Sequence, residues 1–441
     1  MVIIRSPLEP RLPVSRVARR PAAGPFAWPA ISVVAPCTAL ALLVEAWLQD
    51  YHGDELYFLS AAQHLSWGYA DQGALVPFLA WLGEGSPLTL RIPAVLATVV
   101  GVVLTALLAR EFGGGRWAQT AAAAAYAASP RVLDTGSLLL TQTFDIPLWI
   151  ATTLLLVRWA RTGSDRLWWG MGLLAGVAFT VKPLIAVFWA CCVAVLLATR
   201  RRSVPWAGLG KLPALAVAGA LPYLIWQGFH GFPQLTLIPV VAQETGEFAG
   251  GNCAGLFPVC RAAAAARIST AAGSRWWRRI ALGVSAFSGA VVLATSLLSG
   301  GPSSPAWATA ATLEVRAEQG WSGFTDAVST AYHHLPPATT IVTDHYWQAS
   351  ALNWFGAGRG LPPAHSPHRG FSYFGEPWDA AQAILFVGTD PAELRTHCLR
   401  VSATPADGDH GFAGLNEGVP IWLCNTPRQS WETLWPQLRH S

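Results

Sequence analysis

Two adjacent acids, Asp54 and Glu55, stand in a stretch from Trp47 to Trp81 that also holds His52, His64, Asp71 and many aromatic residues. Long apolar segments flank the stretch on both sides, which puts the acids at the mouth of a helical membrane bundle. An uncompensated carboxylate at membrane depth costs a few kcal/mol, so an acid pair kept there suggests chemistry on a polar group presented at the interface. The competing reading makes Asp54 and Glu55 solvated loop acids. With this many ionisable groups the stretch is too polar to cross, and it reads as a loop pressed against a membrane surface.

The elements that must position the pair follow from composition and hydropathy. Of 441 residues, 52% are hydrophobic and only 12% charged, about half the charged share of a soluble domain, which marks a membrane protein. The net charge of +4 is small, and the arginines fall in short groups between apolar runs, a pattern of membrane orientation and not of nucleic-acid binding. Residues 1–25 carry Arg5, Arg11, Arg16, Arg19 and Arg20 without periodicity and read as a disordered basic cytoplasmic tail. Phe26 to Leu48 is then an uncleaved first span, and the Asp54–Glu55 stretch lies outside the cytoplasm. Further spans are expected at residues 91–109, 117–132, 137–157, 167–181, 183–199 and 212–229, each flanked by inside arginines where the chain returns. Asp145 falls near the outer end of its span, on the side of Asp54 and Glu55, and Lys182 lies in an outer turn. Parity and the positive-inside rule require a crossing at Cys253 to Ile268 and a last one at Ile280 to Leu298, giving about nine helices over residues 26–299.

Past the linker GGPSSP the long apolar runs stop, and residues 300–441 read as an extracytoplasmic α/β domain. TTIVTD, AILFVG and PIWLC have the character of short buried strands, while YWQASALNWF and DPAELRTHCL are helix-like. The seven cysteines show no metal-ligand spacing. Cys398 and Cys424 could pair outside the cytoplasm, with free or partly buried thiols as the default. The acids and histidines of this domain form no paired constellation, which predicts an accessory module for acceptor or partner binding.

The order of these segments resembles the GT-C membrane glycosyltransferases of the family 39 and protein mannosyltransferase type, in particular bacterial, actinobacterial members. HGDELYFLSAAQHLSWGYADQGALVPFLAWL is similar to their first extracytoplasmic loop, with its Asp-Glu pair, an aromatic, a Gly-Tyr and a proline-containing stretch. TQTFDIPLW resembles the segment that bears a second acid, and HGFPQL, beginning at His230, the loop after the later hairpin. DHYWQASALNWFG and GLPPAHSPH resemble the periplasmic domain of such members.

The resemblance implies a GT-C-like bundle, a polyprenyl-phosphate monosaccharide as donor, membrane lipid around it, and a glycan, lipid or protein acceptor at the outer face. Inversion at the anomeric carbon then needs one base on the acceptor hydroxyl. Asp54 is the candidate base, with Glu55 as the alternative or as a partner that orients Asp54 or a metal. Asp145, Lys182 and His230 are donor-side candidates. Asp145 could instead ligand a divalent cation with Asp54 and Glu55, or be a helix N-terminal acid. Lys182 could neutralise the donor phosphate or simply snorkel. His52 and His64 could ligand a metal or pack at the interface. The rivals are a transporter and a non-catalytic scaffold or inactive relative. A transporter should hold its ionisable groups near the midplane between similar halves, whereas here the acids gather near one face. FAGGNC abuts AGLFPVCRAAAAA where the resemblance would place another pair of spans, and this keeps the inactive relative in play.

Overall fold

The computed structural model describes residues 24–200, 206–248, 320–336, 338–378, 383–389, 392–404 and 419–439. Among the described residues two helices, α1 (Trp28–Leu48) and α4 (Pro87–Glu111), are long and apolar enough to cross a bilayer. On α1 the buried residues Ile31, Ala35, Thr38, Leu42, Glu45 and Ala46 fall at helical spacing, so one stripe faces α4 while Trp28, Leu40 and Trp47 stay exposed. The bundle continues through α5 (Arg116–Ala127), α6 (Pro130–Thr135), α7 (Thr141–Thr162), α8 (Leu167–Val181), α9 (Ile185–Arg200), α10 (Trp206–Phe229) and α11 (Pro233–Phe248).

Small residues set how closely these helices approach. A Cβ added at Gly219 of α10 would lie 2.5 Å from the Cα of Gly176 on α8, so the two backbones touch where neither carries a side chain. Gly101 of α4 likewise leaves room for Tyr126 of α5, whose hydroxyl would sit 2.3 Å from an added Cβ. The expected span at 117–132 is divided, because α5 ends at Ala127 and Pro130 starts a separate turn. Proline cannot donate into the preceding helix and disfavours helical geometry at Ser129. The crossings expected at 253–268 and 280–298 lie outside the described residues.

Between α1 and α4 the sequence suggested a loop. The structure instead folds it into α2 (Gly53–Ala62) and α3 (Leu75–Gly83). Helix α2 starts on a reciprocal cap: the His52 imidazole accepts from the Asp54 amide at 3.1 Å, and Glu55 accepts from the His52 amide at 3.0 Å. Nine of its ten residues are buried, which is why no amphipathic period shows in the sequence.

What covers α2 is the C-terminal domain. Its helix α13 (Tyr346–Gly356) packs on α2, and α12 (Trp321–His333) packs on α13. Leu56, Phe58 and Leu139 from the bundle share one core with Trp321, Phe324, Ile341 and Leu352. The Trp321 indole donates to the Tyr51 carbonyl at 2.8 Å, tying the domain to the end of α1.

The domain's five-stranded sheet consists of β1 (Thr339–Thr343), β2 (Ala364–His365), β3 (Ala383–Val387), β4 (Cys398–Ala403) and β5 (Ile421–Pro427), in the order β2-β1-β3-β5-β4. β1 is parallel to β2 and β3, whereas β5 runs antiparallel to β3 and β4. Helices α14 (Ala392–His397) and α15 (Trp431–Leu438) complete it. Cys398 and Cys424 are joined by a disulfide between β4 and β5, with Cα atoms 5.8 Å apart. This corrects the default of free thiols. Residue spacing alone could not show that β4 and β5 lie side by side.

Candidate active site

The two adjacent acids point in different directions, as i and i+1 on a helix must. Glu55 faces the bundle and is fully buried. Arg91 of α4, equally buried, donates from Nε at 2.9 Å and from Nη2 at 2.6 Å, while the Leu139 amide donates at 3.0 Å. The same guanidinium also donates to the carbonyls of Ala46, Gln49 and Asp50. Glu55 thus welds α4 and the turn before α7 to the first turn of α2. Burial works against its charge, yet Arg91 and the two amides prevail and hold its carboxyl below the ordinary glutamate range.

Asp54 faces the C-terminal domain and is half-buried. The Tyr346 hydroxyl, at the start of α13, donates to Asp54 Oδ1 at 2.5 Å. That leaves Oδ2 for a second partner. Near it stands Asp71, within electrostatic reach of Asp54. The Tyr57 hydroxyl, one helical turn beyond Asp54, donates to Asp71 Oδ1 at 2.9 Å. Burial pushes the Asp71 carboxyl up, and the Arg369 guanidinium and the Tyr57 bond only partly offset it. Burial also pushes the Tyr57 phenol far up, with the Asp71 charge adding to it. Arg369 lies 5.2 Å from the Tyr346 ring centroid, in cation–π range.

Close approach at this seam depends on two backbone features. A Cβ at Gly370 would fall 2.2 Å from the Tyr57 hydroxyl and 2.8 Å from Asp71 Oδ1, so only glycine lets the C-terminal loop sit there. Its neighbour Arg369 has φ of 50°, one of three non-glycine residues with positive φ among those described, and such strain gathers at functional sites. On the bundle side, a Cβ at Gly73 would fall 2.1 Å from the Thr180 carbonyl, and the Gly73 amide donates to the Val181 carbonyl at 3.4 Å. The Asp71 loop therefore rests on the end of α8, next to Lys182.

The other candidates are spread around this centre. Asp145, in the first turns of α7, accepts from the Trp149 indole at 2.9 Å and feels the Lys182 charge. His230 ends α10 stacked on Trp226 at 3.9 Å, with Tyr373 of the C-terminal domain at 5.8 Å. His52 is engaged as the α2 cap, and His64 stacks on Phe374 at 5.0 Å. The expected cation set Asp54, Glu55 and Asp145 does not assemble: the Glu55 oxygens are occupied, and among the described residues no three His, Cys, Asp or Glu converge as metal ligands would.

Four residues of the seam, Asp71, Tyr57, Tyr346 and Arg369, were given no role from the sequence, Asp71 being noted only as one of the ionisable residues of its stretch. A signal existed for the last two. Tyr346 follows β1 and Arg369 follows β2, and in open α/β sheets ligands gather at the carboxyl ends of parallel strands. Asp71 had no such signal, because its neighbour Asp54 becomes visible only once α2 is folded.

Residues 74–226 match the family described as dolichyl-phosphate-mannose-protein mannosyltransferase, so the resemblance to that family is shown for this part of the chain. Among solved structures, ArnT from Cupriavidus metallidurans bound to undecaprenyl phosphate is similar at 13% identity and a TM-score of 0.49, over 90% of this chain and 98% of that one. The S. cerevisiae protein O-mannosyltransferase Pmt1-Pmt2 complex bound to the sugar donor is similar at 15% identity and a TM-score of 0.38. That likeness covers 49% of this chain, which spans 35% of the yeast chain. No curated protein matches.

Proposed function

We propose, with the mannosyltransferase resemblance of residues 74–226 as premise, that this protein is a membrane glycosyltransferase of the GT-C type. It moves a monosaccharide from a polyprenyl-phosphate donor to an acceptor at the extracytoplasmic face, with inversion. The observation that carries this reading is Asp54: a carboxylate at the mouth of a helical bundle, half-buried, with Oδ1 fixed by Tyr346. Oδ2 takes the proton of the acceptor hydroxyl, and the freed oxygen attacks the anomeric carbon. The bond from that carbon to the phosphate oxygen breaks, and the electron pair leaves with the phosphate, which needs no acid to depart.

Glu55 has a structural task in this reading, the anchoring of α2. Lys182 meets the donor phosphate as a point charge, beside the loop that carries Asp71. Asp145 and His230 complete the donor side, Asp145 as acceptor for a sugar hydroxyl. The bundle crosses about nine times, with the N-terminus in the cytoplasm and the C-terminal domain outside. The Cys398–Cys424 bond supports that orientation, since disulfides persist in oxidising compartments.

The test is Asp54→Asn, nearly isosteric and still able to accept from Tyr346. In membranes supplied with polyprenyl-phosphate sugars, wild type transfers and the variant loses about 100-fold to 10,000-fold in rate. Equal rates in both would remove Asp54 from the chemistry. A wild type that transfers from no such donor would leave the inactive relative as the better reading.

A further inference from the structure

We infer that the C-terminal domain is half of the active site, and that Tyr346 is the residue through which it positions Asp54 for catalysis. The inference rests on the glycosyltransferase reading above and goes beyond it, because that reading uses the Tyr346 contact only to fix Asp54 and assigns the domain no share in the rate.

Three observations converge on Tyr346. It is buried at the N-terminal end of α13, with its ring packed 5.0 Å from Tyr57 and 5.4 Å from His368, so the hydroxyl is held at one place. That hydroxyl donates to Asp54 Oδ1 across 292 positions of chain. A carboxylate on the first turn of a helix otherwise rotates about two torsions. With one oxygen pinned, the other is presented in a single direction, and a base gains rate from such fixed geometry.

The second observation is where the domain meets the acids. The segments after β1 and β2, which supply Tyr346, His368 and Arg369, are the carboxyl ends of parallel strands, and they face Asp54 and Asp71. A module that merely covered the bundle could have docked by any apolar face. The third is the seam's tightness: Gly370 admits no side chain against Tyr57 and Asp71. The two acids of the bundle's face, Asp54 and Asp71, thus meet one phenol and one guanidinium from the domain.

Tyr346→Phe tests this, since it keeps the packing and removes only the hydroxyl. Loss of a hydrogen bond to a charged group predicts a fall in kcat of about 10-fold to 100-fold. The KM for polyprenyl-phosphate sugar should stay within about two-fold, because Tyr346 acts on the base and leaves the donor contacts intact. Arg359→Gln is the control. It breaks the exposed Arg359–Asp326 pair in the same domain and should leave kcat unchanged. Gly370→Ala is the reference for a loosened seam and should alter kcat and KM together, with faster proteolysis. Two outcomes would overturn the inference: full kcat in Tyr346→Phe, or a Tyr346→Phe profile that copies Gly370→Ala. If Asp54→Asn loses transfer while Tyr346→Phe keeps it, only this inference fails. If Asp54→Asn also keeps full rate, the reading beneath it fails.

Discussion

Asp54 and Glu55 are chemically alike and adjacent, yet replacing each by its amide should do opposite things. Glu55→Gln is the more informative change. The wild-type carboxylate receives Arg91 Nε at 2.9 Å and Nη2 at 2.6 Å, and the amides of His52 and Leu139 at 3.0 Å each. Glutamine keeps one acceptor oxygen and must turn an NH2 group toward a cluster of N–H donors. Arg91, fully buried, then has no counter-charge. Breaking a buried ion pair from one side costs about 3–5 kcal/mol, so Glu55→Gln should unfold far below the wild-type temperature in detergent micelles. Arg91→Met should cost a similar amount, and the double variant should recover part of it, giving a coupling energy of about 1–3 kcal/mol. The depressed carboxyl adds a pH signature. Its stabilisation is fully present above the ordinary glutamate value of 4.5 and is lost as the pH falls through the lower folded value. Glu55→Gln should lack that acid-side loss. A Glu55→Gln protein that melts with wild type but fails to transfer sugar would refute the structural role and return Glu55 to the chemistry.

Two further outcomes follow from the C-terminal domain. Cys398→Ser, or reduction of wild type with dithiothreitol, should destabilise the domain by about 3–4 kcal/mol, the closure entropy of a loop of 26 residues, seen as a lower unfolding temperature of the purified protein. An unchanged temperature would mean that the β4–β5 pairing holds without the bond. A reporter active only in the cytoplasm should stay dark when fused after Trp321 and active when fused within the first 25 residues; the reverse pattern would invert the orientation.

Much of the architecture is legible in hydropathy because membrane helices and buried strands have strong signals. The segment at 167–181 coincides with α8, the apolar run before Trp47 with α1, and the strands TTIVT and AILFV with β1 and β3. The site is legible only in part. Asp54 stands out as an acid between spans, but the division of labour with Glu55 depends on Arg91, which reads in sequence as no more than the first residue of a returning span. Helix α2 is hidden for a different reason: buried on nearly every side, it lacks the polar face that betrays a surface helix. Asp71, Tyr57, Tyr346 and Arg369 become a group only through tertiary packing, whereas the expectation of an accessory C-terminal module rested on the domain's own acids and histidines, which form no paired constellation in the sequence.

The length of chain between Asp54 and Tyr346 also sets when the seam between bundle and domain can first form. The bundle's helices and the candidate base are made early, and 292 positions must be added before the hydroxyl that fixes Asp54 exists. During that interval α2 has no cover, and the face it later presents to α13 is bare apolar surface beside two acids. On the reading proposed above, a chain cut before Tyr346 keeps the donor side of the bundle but lacks the hydroxyl that pins Asp54, so it should still bind a polyprenyl-phosphate sugar and transfer it more slowly.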